Sequence, residues 1–320
     1  MRARYIHSSE VMAVKRYLPS AGWALGMLIL ILDGRTAMAG AAAGVDLCIR
    51  TLIPGLFPFF VLSMMLTGSL SGGGLVLSGI LGGYPVGAAN AAAGFRAGQL
   101  SRRDAQRMAL ISNCPGPSFL FGVLGPVFGD IRAVLMLWAI YLLSVGALWL
   151  LLPKMEQHAG LHHRPRLQQA LQRSIRAMAG VCGWVILFRV VLAIADRWIL
   201  WLLPRWARLC VGGVLEPSNG CLALVDAKPG LRFVLAAGFI SFGGLCVLLQ
   251  TAGVTERMGL GAYFPGKVFQ ASFCMLLASL LVPGAVPPGV QVLLAAMGAV
   301  LGWRLRKSEK RSGNPEPVIV

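Results

Sequence analysis

Apolar residues in this chain fall into stretches long enough to cross a membrane. They lie at approximately Leu18–Leu32, Leu52–Leu70, Leu75–Ala97, Ala105–Phe128, Ala133–Leu152, Met178–Ala195, Ala207–Val225, Phe233–Ala252, Val268–Val282 and Val290–Trp303. A spanning helix needs about 20 such residues, so the pattern predicts an all-α polytopic membrane protein with roughly 8 spans. Polar positions gather in short gaps, apart from one longer basic stretch. The chain therefore divides into a cytoplasmic segment 1–17, a first membrane unit 18–152, a basic cytoplasmic loop 153–177, a second unit with trailing helices 178–303, and a basic cytoplasmic tail 304–320.

Some of these runs are interrupted by residues that helices in lipid should not contain. Leu75–Ala97 is broken at Gly82-Gly83-Tyr84-Pro85, and Ala105–Phe128 at Asn113-Cys114-Pro115-Gly116-Pro117. Unpaired backbone groups in hydrocarbon cost several kcal/mol each, so such breaks survive only where protein or a water-filled cavity surrounds them. Broken helices near the midplane are where transporters build their binding sites. Gly83, Tyr84, Pro85, Asn113, Pro115 and Gly116 are the first unit's candidate site residues. Two bland readings stand beside this one: a hairpin tip that only packs, and an Asn113 amide that only joins helices.

The second unit repeats the series. Ile49-Arg50 and Ile175-Arg176 each precede a helix, a broken short run and a second broken helix. In the second unit the breaks are Glu216-Pro217-Ser218-Asn219-Gly220 and Ser241-Phe242-Gly243-Gly244. Glu216, Ser218, Asn219, Ser241, Gly243, Gly244 and Gln250 are its candidate site residues. An intramembrane carboxylate is costly and functional by default, although Glu216 could instead sit in an external loop. Arg189 needs a partner, and Glu216 is one candidate. Most of the cations, Arg257 and the loop residue Lys267 among them, fall on the cytoplasmic side if Leu75–Ala97 is a re-entrant hairpin and both termini are cytoplasmic. Arg50 and Arg176 then lie on opposite sides, which makes the two units inverted repeats. All six polar groups Tyr84, Asn113, Glu216, Ser218, Asn219 and Ser241 are expected to converge on one midplane cavity.

Composition narrows the chemistry. The chain is 57% hydrophobic and 13% charged, where a soluble domain carries about 25% charged residues. Its net charge of +17 sits in short loops and tails, where it orients the protein and meets anionic lipid rather than nucleic acid. Seven scattered cysteines form no CxxC pair and read as small buried hydrophobes. His158, His162 and His163 share a basic loop without acidic or thiol ligands, so no metal and no cofactor are expected. No Walker loop, HExxH or GxSxG occurs, and an enzyme is not expected. Lys15-Arg16, Ala21–Leu32 and Ala37-Met38-Ala39 also resemble a signal peptide, but an uncleaved first helix fits the charge pattern better.

Gly83-Tyr84-Pro85-Val86-Gly87-Ala88, Gly98-Gln99-Leu100-Ser101 with Ala105-Gln106-Arg107, and Ser112-Asn113-Cys114-Pro115-Gly116-Pro117-Ser118-Phe119 resemble the signature of YlbJ-type sporulation integral membrane proteins. These belong to the wider nucleoside-recognition, or Gate-domain, group. Ser241-Phe242-Gly243-Gly244-Leu245 with Gln250, and Leu215-Glu216 with Gly220, resemble later stretches of the same family. Gly82 stands where the family has serine, and Cys114 where a polar residue is common. The resemblance covers about 50–251 and implies a membrane protein of spore formation. The expected function is transport or conduction of a small solute, nucleoside-like by the family label. A non-transporting scaffold with sporulation partners is the alternative, and a homo-oligomer is compatible with both.

Overall fold

The computed structural model describes residues 22–67, 72–152 and 166–311. The segment 1–17, the histidine-bearing part of the basic loop and the end of the tail lie outside the described residues. Seven helices are long and apolar enough to span a membrane: Gly34–Leu66, Arg102–Phe128, Ile131–Leu151, Leu167–Trp198, Pro229–Val254, Tyr263–Leu281 and Pro288–Lys307. Among the described residues there is no strand. The chain is an all-α, multi-pass membrane protein.

In chain order the helices are α1 (Gly22–Leu32), α2 (Gly34–Leu66), α3 (Gly72–Gly82), α4 (Val86–Arg96) and α5 (Arg102–Ser112). The segment α6 follows in three joined pieces, Pro117–Phe119, Leu120–Leu124 and Gly125–Phe128. Then come α7 (Ile131–Leu151), α8 (Leu167–Trp198), α9 (Arg205–Leu215), α10 (Pro217–Leu222), α11 (Pro229–Phe242), α12 (Gly244–Val254), α13 (Tyr263–Leu281) and α14 (Pro288–Arg311).

Helices α3 and α4 have 11 residues each, about 16 Å, which is half of a ~30 Å hydrocarbon core. They form an antiparallel hairpin in which Asn90 Nδ2 donates to Ser78 Oγ at 3.1 Å. The small residues Gly79 and Gly87 let the arms close on each other and on Ser112. Helices α9 and α10 form a second hairpin, closed where Gly213 meets Gly220. Each hairpin is followed by a broken helix, α5–α6 and α11–α12.

The hydrogen bonds fix the directions. Arg102 at the start of α5 donates to the carbonyls of Met258 and Arg257 just past the end of α12, both at 3.1 Å, and Gln106 donates to Met258 at 2.8 Å. Arg232 at the start of α11 donates to the carbonyl of Val127 at the end of α6, at 3.0 Å. The two broken helices therefore run in opposite directions. The base of the first hairpin lies at one face and the base of the second at the other. That is the arrangement a half-turn about an axis in the membrane plane produces. The full-length helices keep the pattern, with α2 and α8 before the hairpins and α7 and α13 after the broken helices.

Burial separates scaffold from centre. The two broken spans are 83% and 78% buried, against 17–44% for the other five. The interruptions are thus enclosed in protein, as the cost of bare backbone in lipid requires. Leucines and tryptophans such as Leu143, Trp149, Leu150, Leu187 and Trp303 point outward from the full-length spans.

Four boundaries differ from the sequence expectation. Helix α2 starts at Gly34, well before the run expected from Leu52. Its alanine- and glycine-rich beginning is not strongly apolar, but Gly40 and Gly44 lie against the backbone of Val190 and Ile186 on α8, a close approach that small residues one turn apart permit. Helix α8 starts at Leu167, so the second half of the expected loop 153–177 is helical. Helix α14 runs on to Arg311 and takes in the start of the expected tail 304–320. Finally, α13 completes the second unit as the counterpart of α7, which leaves α14 as the one trailing helix.

Candidate functional site

In each unit the hairpin tip rests on the break of its own broken helix. Gly83 has φ 77°, a left-handed conformation that favours glycine, and a Cβ there would stand 3.0 Å from the Gly116 nitrogen. Gly244, with φ 68°, places the second break against the second tip, where a Cβ would stand 3.1 Å from the Leu215 carbonyl. The units then exchange bonds. Tyr84, from the first tip, donates its hydroxyl to the Ile240 carbonyl beside the second break at 2.8 Å. Asn113, at the first break, donates to Thr251 Oγ1 at 2.9 Å and Tyr263 Oη at 2.6 Å, both from the second unit. The groups that the interruptions free are largely satisfied by the other half of the molecule.

Glu216 is buried at the second tip and caps α10. Its two oxygens accept from the backbone N–H groups of Ser218 at 3.0 Å and Asn219 at 2.7 Å. A carboxylate at the N-cap satisfies orphan donors and complements the positive end of the helix. Pro217 at the first helical position lacks an N–H and needs no partner there. The external-loop alternative for Glu216 is overturned by this burial. Arg189 does not pair with Glu216: its guanidinium donates to Asn219 Oδ1 at 2.9 Å, one residue pair further along the same turn.

Two compartments flank that turn. On one side is a small cavity of about 20 Å³, room for one water, lined by Gly83, Tyr84, Gly116, Glu216, Ser218 and Gln250 with apolar neighbours such as Leu52 and Val185. On the other is an open cleft of about 710 Å³ between α2, α8 and the second hairpin. Arg35, Arg189, Arg205, Arg208 and Asp196 supply its charges, and Asn219 stands in its wall. Arg208 leans on Asp196 at 3.7 Å, and Arg205 reaches Asp226 at 3.3 Å. The buried Asn219 Nδ2 has no partner. Beside the cleft, Asp33 bonds Trp198 and Arg197, each at 3.0 Å. The Thr36 hydroxyl, foremost, holds its carboxyl below the usual carboxylate range.

The six polar groups expected in one cavity are thus divided. Tyr84, Glu216 and Ser218 share the small cavity, joined by Gln250, whose amide turns to Cys246 Sγ at 3.1 Å. Asn219 belongs to the cleft. Asn113 is fully buried among Thr251, Tyr263 and Lys267, and its amide joins the units. Ser241 returns its hydroxyl to the Ala237 carbonyl one turn back, at 2.7 Å, and reaches neither compartment. Pro85, Pro115 and Gly243 shape the breaks without lining either space. The physical reason is packing: the breaks lie against one another and leave little empty room, so most of these groups bond locally or across the units, while Asn113 Oδ1 and Asn219 Nδ2 stay without partners.

Sequence reasoning missed three members of the centre. Tyr263, Thr251 and Tyr141 carry no motif, and only the folded chain brings them to the first break. Lys267 was expected among the cytoplasmic loop cations but is 2% exposed. Pro265-Gly266 reads as a loop, yet proline is tolerated in a first helical turn, and α13 starts at Tyr263. Among the described residues no group of three or more His, Cys, Asp or Glu could hold a metal ion.

The chain is 24% identical over 317 residues to the sporulation integral membrane protein YlbJ of Bacillus subtilis (strain 168), a match covering 77% of this chain and 78% of the relative. No family profile matches the chain. No solved structure matches it. The similarity to YlbJ accords with the resemblance carried by the Gly-Tyr-Pro and Asn-Cys-Pro-Gly-Pro motifs.

Proposed function

We propose that this protein acts in spore formation as a membrane transporter for a small polar solute. One observation carries the reading: two half-length hairpins from opposite faces meet the breaks of two oppositely directed helices at the centre of the protein. Inverted units of this kind support alternating access, because one unit can rock against the other around a fixed central site. The relative's name supplies the link to sporulation. The solute reaches the centre through the open cleft and is handed across the Glu216–Asn219 turn. The Gate-type resemblance favours a nucleoside-like solute, and four arginines against one carboxylate in the cleft favour negative charge.

Orientation follows from charge. The face at the base of the first hairpin holds Arg96, Arg102, Arg103, Arg166, Arg173, Arg176, Arg257, Arg304, Arg306 and Lys307, whereas at the other face the fewer cations Arg35, Arg132, Arg197, Arg205, Arg208, Lys228 and Arg232 stand among Asp33, Asp130, Asp196 and Asp226. By the positive-inside rule the first face is cytoplasmic, where its cations meet anionic lipid. Helix α14 then ends on the cytoplasmic face, and α2 begins on the opposite one.

The test is flux into proteoliposomes against a panel of nucleosides, nucleoside monophosphates and small carboxylates. Uptake of at least one, lowered about tenfold or more by Arg189→Met, is the expected outcome. Arg189→Met removes the cation that holds Asn219, a charged hydrogen bond of about 1.5–3 kcal/mol, and takes positive charge from the cleft floor. No uptake of any panel member by well-folded protein would favour the scaffold reading.

A further inference from the structure

Lys267 lies where a free cation would be expected. Helix α5 stops at Ser112; the Asn113 N–H still bonds the Ala109 carbonyl, and beyond it the helical ladder ends, leaving the Asn113 carbonyl outside the helix. The end of a half-helix carries partial negative charge, and in transporters with broken helices such ends and unwound carbonyls coordinate the coupling ion. Here the position is filled from within the chain. Lys267 Nζ donates to the Asn113 carbonyl at 2.8 Å, to Gln270 Oε1 at 2.9 Å and to Tyr141 Oη at 3.2 Å. An ammonium has three protons, and all three meet oxygens. The rings of Tyr141 and Tyr263 stand 5.7 and 5.6 Å from the nitrogen, within cation–π range.

A lysine near a helix end in a membrane ordinarily extends its head toward water. This one does the opposite: its head is buried, and three protein oxygens accept its protons. Among the described residues no carboxylate lies within salt-bridge distance of it. Its charge is balanced by carbonyl, amide and hydroxyl dipoles and by aromatic faces, the ligand set that suits an alkali cation. The second break shows the contrast. There the Ile240 carbonyl accepts from the neutral Tyr84 hydroxyl. Each break thus receives a donor from the opposite unit, but only the first receives a charge.

We propose that the Lys267 ammonium is a tethered cation that takes the place of a soluble ion at the first break, so that this break binds neither sodium nor potassium. The proposal concerns the resting protein and holds whether or not it moves a solute.

Melting temperature of the purified protein in detergent tests it directly. Wild type should melt within about 1 °C in sodium, potassium and N-methylglucamine chloride at equal ionic strength. Lys267→Ala leaves a space and uncapped oxygens, and it should melt about 5–10 °C lower. Methylammonium, which supplies an ammonium of the right size, should restore at least about half of that loss. Tetramethylammonium has no N–H and should restore none. Lys267→Met fills the space with carbon and should show no recovery with either. Sodium- or potassium-selective stabilisation of wild type by more than about 3 °C would overturn the proposal. An alanine variant that melts like wild type, or melts lower without responding to methylammonium, would do the same. If the alanine variant cannot be purified, the wild-type salt series decides alone.

Discussion

Glu216→Ala should abolish solute flux and lower stability by about 2–5 kcal/mol, whereas Glu216→Asp should keep stability within about 1 kcal/mol of wild type. The difference follows from geometry. Both carboxylate oxygens of Glu216 accept backbone N–H groups of α10, at 3.0 and 2.7 Å. Alanine strands both donors in a dry interior, where each costs about 1–3 kcal/mol. Aspartate is a preferred N-cap and reaches the same two positions. Glu216→Gln is the informative intermediate. It keeps one acceptor but turns an amide NH2 toward a backbone N–H, so it should fall between the two. Thermal melts of purified variants give the order Asp, Gln, Ala. An order with Gln at wild-type level and Asp worst would mean that length at position 216, rather than capping, matters.

Gly220→Val should prevent formation of the second hairpin, with a cost of roughly 3 kcal/mol or more. Any Cβ at Gly220 runs into the backbone of Gly213, with the Phe239 ring close by. Backbone cannot rotate away as a flexible side chain can, so the arms must separate. Gly87→Val should behave alike in the first hairpin, because its Cβ would run into the Ser112 carbonyl. Gly146→Val is the control: nothing lies within 4 Å of a Cβ there, and the substitution should cost less than about 1 kcal/mol. Size-exclusion profiles after detergent extraction separate these outcomes. A monodisperse Gly220→Val protein with wild-type melting would show that the arms do not pack as described.

The architecture was legible because hydrocarbon is intolerant. Gly82–Pro85, Asn113–Pro117, Glu216–Gly220 and Ser241–Gly244 stand out in apolar runs, and their order alone indicates two like series. All four prove to be enclosed at the centre. What the sequence did not convey is how the breaks are satisfied. Asn113 read either as a ligand reader or as a join between helices, and because its partners Thr251 and Tyr263 lie far along the chain, only the fold decides for the join. Lys267 was misplaced for a related reason: one lysine beside proline and glycine has the local pattern of a loop, and its burial depends on three oxygens from the first break, α7 and α13. Glu216 was recognised as an interior carboxylate, but its capping role depends on Ser218 and Asn219 turning their N–H groups back toward it. The start of α2 was missed because small residues signal helix packing rather than hydropathy.

The account rests on two units of opposite orientation, and the bases of the two hairpins report this most directly. Ala97 and Lys228 are both exposed, one at the base of each hairpin. In a background without the native cysteines, Ala97→Cys and Lys228→Cys can be probed separately with a membrane-impermeant maleimide, in sealed right-side-out and inverted vesicles. The account predicts that Ala97→Cys reacts only in inverted vesicles and Lys228→Cys only in right-side-out ones. Reaction of both from the same side would contradict the inverted architecture and, with it, the alternating-access reading of the centre.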